Sequence, residues 1–178
     1  MRILKCLFTK VLPLALVAGL LVACGGKEER KAQYLERGKS YLAEENYDKA
    51  LIEFKNVLQI DPKTAEAFMY VGEVMKEKRD WPSAFANYKK AIDLDPDLVE
   101  ARIFLAKIYV AQSNASRLTG EEESAATAAE LAREQIDAIL SREPENLEGL
   151  TIQSHAWVQE GEVERAVQQL EKVIAQNP

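Results

Sequence analysis

Pro62, Pro96, Pro144 and Pro178 each follow an aspartate, a glutamate or an asparagine, and their spacings are 34, 48 and 34 residues. A proline cannot continue a helix and disfavours helix in the residue before it, so a fixed proline period marks a recurrent break. A period of 34 with a single 14-residue excess predicts an array of small helical units stacked in a row. Such an array buries its core between neighbours and presents an extended surface.

The residues between the prolines repeat as well. Tyr34, Gly38 and Tyr41 lie on one helical face, a break follows at Glu45 and Asn46, and Ala50, Phe54 and Val57 mark a second face. Shifted by one period these become Phe68, Gly72 and Met75, then Ala84, Tyr88 and Ala91. The third unit gives Ala106 and Tyr109, then Ala132, Ile136 and Ile139. The fourth gives Leu150, Ser154 and Trp157, then Ala166, Leu170 and Val173. Gly38, Gly72, Ala106 and Ser154 are small, as a close crossing of two helices requires. This pattern resembles the tetratricopeptide repeat. The resemblance implies an all-α fold, a right-handed superhelical solenoid of four helix–turn–helix repeats at 31–64, 65–98, 99–146 and 147–178. Arg37 and Gln153 depart from it, standing where the family places an apolar residue.

The excess residues are expected between the two helices of the third unit, around Gln112 to Ala128. Ser113 to Ser116 reads as a polar break, and Thr119 with Glu122 as a capping box. On this reading the second helix of the unit is two turns longer at its start. Its acidic end, Glu121 to Glu123, is either a docking feature or a solvated extension.

The beginning of the chain follows a different logic. Arg2, Lys5 and Lys10 are basic, and Val11 to Val22 is an apolar run of 12 residues. A bilayer span needs roughly 20, so the run reads as a secretory signal. Leu21-Val22-Ala23-Cys24 resembles the lipobox of bacterial lipoproteins. The resemblance implies a signal peptide at 1–23, lipidation of Cys24, and a short linker over 24–30. Gly25 is not the aspartate that retains such proteins at the inner membrane, which implies an outer-membrane destination facing the periplasm. Two or three acyl chains, at about 0.8 kcal/mol per buried methylene, make a lasting anchor. Asn114-Ala115-Ser116 fits a glycosylation sequon but carries no weight in a bacterial lipoprotein.

Removing residues 1–23 takes three of the 23 basic residues and none of the 29 acidic ones, so the net charge moves from −6 to −9. That balance argues against a nucleic-acid partner and against an electrostatic grip on anionic lipid. Beyond Cys24 there is one histidine, His155, and no further cysteine. No phosphate loop or paired-histidine motif is present, and Ser83 and Ser124 lack a histidine within their pattern. No catalytic residue, metal, cofactor or small-molecule substrate is therefore expected, and an enzyme remains only as the contrasting class. The acidic triplet, without a histidine, reads as a solvated face.

In the tetratricopeptide family the first helices of successive units line a concave groove. The resemblance places Leu35, Met69, Ile103 and Thr151 on its floor, with Tyr70 and Phe104 beside them. Lys39, Glu73, Lys107 and His155 follow one turn later. Some members clamp a peptide carboxylate there with cations. Leu35 and Met69 stand where those cations would be, so an amphipathic helix or an extended peptide suits the stripe better. The alternative is that these residues only support the array's packing. The segments Tyr34 to Leu42 and Phe54 to Pro62 resemble the first repeats of lipoproteins associated with exopolysaccharide and exosortase (PEP-CTERM) systems. That implies a scaffold in polysaccharide or protein export, with a pilotin-like role in pilus secretin assembly as the other reading. A free-standing array normally ends in a polar helix, so with Pro178 as the last residue the array is expected to continue or to be completed by another protein or a second copy.

Overall fold

Each period contains two apolar stripes of helical spacing separated by a turn of two or three residues, and each stripe folds as one amphipathic helix. The computed structural model describes residues 26–176; the segment expected as a signal peptide, Cys24 and Pro178 lie outside them. Eight helices are described: α1 (26–43), α2 (Tyr47–Ile60), α3 (Ala65–Glu77), α4 (Trp81–Leu94), α5 (Val99–Leu118), α6 (Glu122–Arg142), α7 (Leu147–Glu160) and α8 (Val163–Gln176). They pair α1 with α2, α3 with α4, α5 with α6 and α7 with α8, in a right-handed superhelical solenoid. Residues 26–30, expected as linker, belong to the first turn of α1. There Arg30 Nε donates to Gly26 O at 3.1 Å and Lys31 pairs with Glu28 at 2.7 Å.

The turn inside each unit has one form. Asn46 N donates to Tyr41 O and Glu45 N to Leu42 O, closing the end of α1. The same pair of bonds recurs from Asp80 and Arg79, from Glu121 and Gly120, and from Glu162 and Gly161. This is the Schellman closure, which requires a left-handed residue at its second-last position. That residue is Glu45 (φ 57°), Arg79 (φ 60°), Gly120 (φ 78°) and Gly161 (φ 87°) in turn. Asn46 and Asp80 then cap α2 and α4, accepting from the backbone of Lys49 and Ser83. Between units, the aspartate before the proline makes the turn: Asp61 accepts from Lys63 N and Asp95 from Asp97 N, both at 3.0 Å.

Three apolar clusters hold the stack, one per junction. Gly38 and Gly72 let the paired helices cross closely, since a Cβ on Gly38 would lie 2.4 Å from the Phe54 ring and one on Gly72 2.9 Å from the Tyr88 ring. The junctions repeat a ring contact. Phe54 stacks on Tyr70 (centroids 5.0 Å apart), and one period later Tyr88 stacks on Phe104 (4.1 Å). After the 14-residue excess the equivalent residues are Ile136 and Ile152, buried together in the third cluster.

The excess is distributed differently from the sequence expectation. α5 has 20 residues against 13 in α3, and α6 has 21 against 14 in α4, so each helix gains seven. The polar stretch Ser113 to Ser116 does not break α5. Ser113 Oγ donates to Ala125 O at 2.9 Å and Ser116 Oγ meets Ser124 Oγ at 3.0 Å, so its hydroxyls bind the facing helix. The capping box does not form either. Glu121 occupies the cap position of α6 without a side-chain bond, and Thr119 Oγ1 donates back to Ser116 O at 3.1 Å. Thr119 and Gly120 close α5, which leaves the hydroxyl one turn away from the start of α6.

Candidate functional site

The first helices of the units, α1, α3, α5 and α7, carry every residue of the expected groove. Leu35 is half-buried against the first junction cluster, Met69 against the second and Ile103 against the third. Phe104 is 8% exposed and belongs to the core, its ring flat against Tyr88. Tyr70 is half-buried, stacked on Phe54 and overlaid by the Lys39 ammonium at 5.3 Å from its centroid. Thr151 and His155 are exposed on α7. Leu35, Met69 and Ile103 thus serve junction packing with most of their surface and leave edges to the concave side.

Charge on this face is largely paired across junctions. Lys39 on α1 meets Glu66 on α3 at 2.9 Å, and Lys107 on α5 pairs with Glu148 on α7. These pairs occupy the same register, two units apart. The middle junction differs. The counterpart of Lys39 is Glu73 and the counterpart of Glu66 is Glu100, so both positions hold carboxylates. Glu73 accepts from Lys76 Nζ and from Tyr88 Oη, each at 2.5 Å.

Two clefts open here. One, of about 400 Å³, is walled by Trp81, Tyr88, Ile103, Phe104 and Ile108, with Glu73, Lys76, Glu100, Lys107 and Glu148 around them. The other, of about 490 Å³, lies between α5 and α7; Val110, Ala111, Ala115, Leu118 and Ile152 make it apolar, and His155 stands at its edge. Lys107 lines both, so its pair with Glu148 forms the divide. Leu118 is 81% exposed and Trp81 51%. The second cleft exists because α5 runs seven residues beyond the ordinary unit, bringing Ala111 to Leu118 alongside α7.

Four groups of this face, Lys39, Tyr70, Lys76 and Tyr88, are shifted upward. The hydrogen bond to Glu66 holds the Lys39 ammonium well above its ordinary range. Burial, reinforced by the hydrogen bond and charge of Glu73, does the same to the Tyr88 phenol. Burial raises Tyr70 as well. For Lys76 burial acts downward, and the hydrogen bond and charge of Glu73 with that of Glu77 turn the net shift upward. Each shift strengthens the ordinary charge state, the behaviour of structural pairing and not of proton transfer near neutral pH. Among the described residues no group of three histidine, cysteine, aspartate or glutamate side chains is arranged to hold a metal ion, and no helix is long and apolar enough to cross a membrane.

Sequence reading missed Trp81, Glu100, Glu148, Ile108 and Leu118. The signal for four of them was present. Ile108 lies one period after Val74. Trp81 lies one period after Tyr47, and Glu100 and Glu148 continue the register of Glu66. Leu118 had none, since it sits in the stretch without a counterpart in the other units.

Residues 35–99 match the model of the Tetratricopeptide repeat family. A comparison with curated protein sequences gives no match. Among solved structures, a thermophilic TPR protein of Thermus thermophilus is similar with a TM-score of 0.63 at 20% identity, covering 83% of this chain and 74% of that one. The crystal structure of MamA protein gives 0.62 at 19%, covering 82% and 72%. The TPR2B domain of yeast Sti1, in its complex with pHsp70, gives 0.51 at 21%, covering 74% and 98%. With the helix pairs, the Schellman turns and the recurrent junction contacts, these likenesses establish that the described chain has the tetratricopeptide-repeat fold.

Proposed function

We propose that this protein is a lipid-anchored adaptor of the bacterial cell envelope that holds a protein or peptide partner in its concave groove. The observation that carries the binding half is the pair of adjoining clefts along α3, α5 and α7, apolar in their walls and opened by an exposed tryptophan and an exposed leucine. Exposed apolar surface of this kind, rimmed by charge, is characteristic of an interaction site. Two solved neighbours of the same fold, the yeast Sti1 domains, are complexes with pHsp70 and pHSP90, so the architecture is compatible with a bound peptide. The anchoring half rests on the order of basic start, apolar run and Leu21-Val22-Ala23-Cys24. An outer-membrane location facing the periplasm follows from Gly25, and a place in polysaccharide or protein export from the likeness of the first two repeats to lipoproteins of such systems.

Anchoring is tested by expressing the full chain in bacterial cells and separating membranes by sedimentation. The unaltered protein should travel with the membranes and Cys24→Ser with the soluble fraction; membrane recovery of Cys24→Ser would end the lipoprotein reading. For the groove, Leu118→Glu is the suitable change. It alters an exposed side chain, whereas Leu35 and Met69 pack into the junctions. Capture of envelope proteins by the unaltered chain should drop with Leu118→Glu, and equal capture would remove the groove from the function.

A further inference from the structure

The middle junction breaks the charge register of the groove, and it does so inside the aromatic cleft. At the first and third junctions a lysine on one unit meets a glutamate on the next, as Lys39 with Glu66 and Lys107 with Glu148. At the second, the lysine position holds Glu73. Around the cleft stand three carboxylates, Glu73, Glu100 and Glu148, and two ammonium groups, Lys76 and Lys107. Glu73 is matched by Lys76, which also meets Glu77 at 3.4 Å, and Glu148 by Lys107. Glu100 is left over: it is exposed and has no ion-pair partner among the described residues. In the same cleft the half-exposed indole of Trp81 and the wall of Tyr88, Ile103, Phe104 and Ile108 offer an apolar, π-rich surface.

A cleft that holds one carboxylate in excess and an exposed indole complements a single cation carried on an aliphatic stem. Guanidinium and ammonium groups are attracted to tryptophan faces, and their methylene chains cover apolar wall while the head stays at the rim. We propose that this cleft receives one lysine or arginine side chain of the partner protein, and that the neighbouring cleft at Val110, Ala115, Leu118 and Ile152 receives an aliphatic or aromatic residue of the same segment. The inference rests on the groove reading above and specifies the chemistry of what the groove takes. The partner's cation would complete at the middle junction the pairing that the protein itself makes at the other two. The net negative charge of the chain acts in the same direction, favouring approach of a basic segment.

The test is selection of random linear peptides displayed on phage against the full chain purified in detergent. Affinities of the selected peptides are then measured by fluorescence polarisation. Selected peptides should carry a lysine or arginine close to a large apolar residue. The best of them should bind Glu100→Lys about tenfold more weakly, the worth of one such contact. Glu100→Gln should fall between, and Trp81→Ala should also weaken binding. Peptides without a basic residue, or basic peptides that bind Glu100→Lys undiminished, overturn the proposal. If the same peptides still bind Leu118→Glu more weakly, the groove reading survives that result. A failure to select any peptide removes both. The Glu100 side chain makes no hydrogen bond or ion pair among the described residues, but it stands in the first turn of α5, where a cation opposes the helix dipole. The melting temperature of each variant is therefore measured beside its affinity.

Discussion

Two glycine substitutions with opposite expected signs isolate what single residues do here. Alanine in a helix interior normally stabilises relative to glycine by about 1 kcal/mol. At Gly38 the new methyl would lie 2.4 Å from Phe54, whose side chain is fully buried and has nowhere to move. Gly38→Ala should therefore lower stability by about 1–3 kcal/mol, as overpacking does, read as an earlier urea midpoint. Arg79 holds a left-handed conformation at φ 60°, which strains a side-chain-bearing residue. Arg79→Gly should raise the midpoint, by up to about 1 kcal/mol. The first effect was legible in the sequence, because small residues recur at the crossing position. The second was not, because Glu45 and Arg79 occupy positions where the later units have glycine, and nothing in their own chemistry announces a left-handed turn. Ionisation gives a further residue-level expectation. Tyr88 ordinarily loses its proton near 10.0, and in the folded protein burial and Glu73 raise that value. Its contribution is thus fully present below about pH 10 and is lost as pH climbs from there toward the folded value. Lys39, also raised, acts with the same sign. Stability should decline through the alkaline range, and Tyr88→Phe should flatten that decline; an unchanged slope would mean the phenol is not the group responsible.

At the scale of helices, the 14-residue excess is a matched pair of seven-residue lengthenings. Seven residues are close to two turns, so each added stretch keeps its apolar side facing the other helix. Ala125 and Ala128 on α6 face Ser113 and Ser116 on α5, and a small-residue seam lets the two extensions lie close. The tip is tied back to the next unit by Arg117 Nη1, which donates to Gln159 O near the end of α7, and further along α6 Arg133 pairs with Glu160 at 2.8 Å. Removing residues 112–118 together with 122–128 should therefore leave a folded array with ordinary units, shown by retained helical circular dichroism and a single cooperative melt. Removing either stretch alone should abolish cooperativity, because the remaining extension would have no partner. The sequence located the excess within the third unit. It did not reveal the division, since Ser113 to Ser116 is polar by composition and its burial depends on hydroxyls finding Ala125 O and Ser124 across the gap.

For the molecule as a whole, stability is a chain of neighbour contacts, with one junction cluster between each pair of units. α8 leaves Val163, Val167 and Ile174 exposed, whereas α3 and α4 are flanked on both sides. Amide exchange should consequently be fastest in α8, slower in α7 and slowest across α3 to α5, a graded order that a single global opening would erase. The repeat period made this linear organisation readable before any coordinates. What it could not convey was the charge pattern across junctions, because Glu73 and Glu100 acquire meaning only when Lys39–Glu66 and Lys107–Glu148 are seen to meet in space. The lengthened pair α5 and α6 has a last consequence. Seven added residues advance each helix about 10 Å, and they do so sideways, across the direction in which units accumulate. The array's length is thus governed by how many units it has, and its breadth by how long the helices of any one unit are, so the two dimensions can change independently of each other.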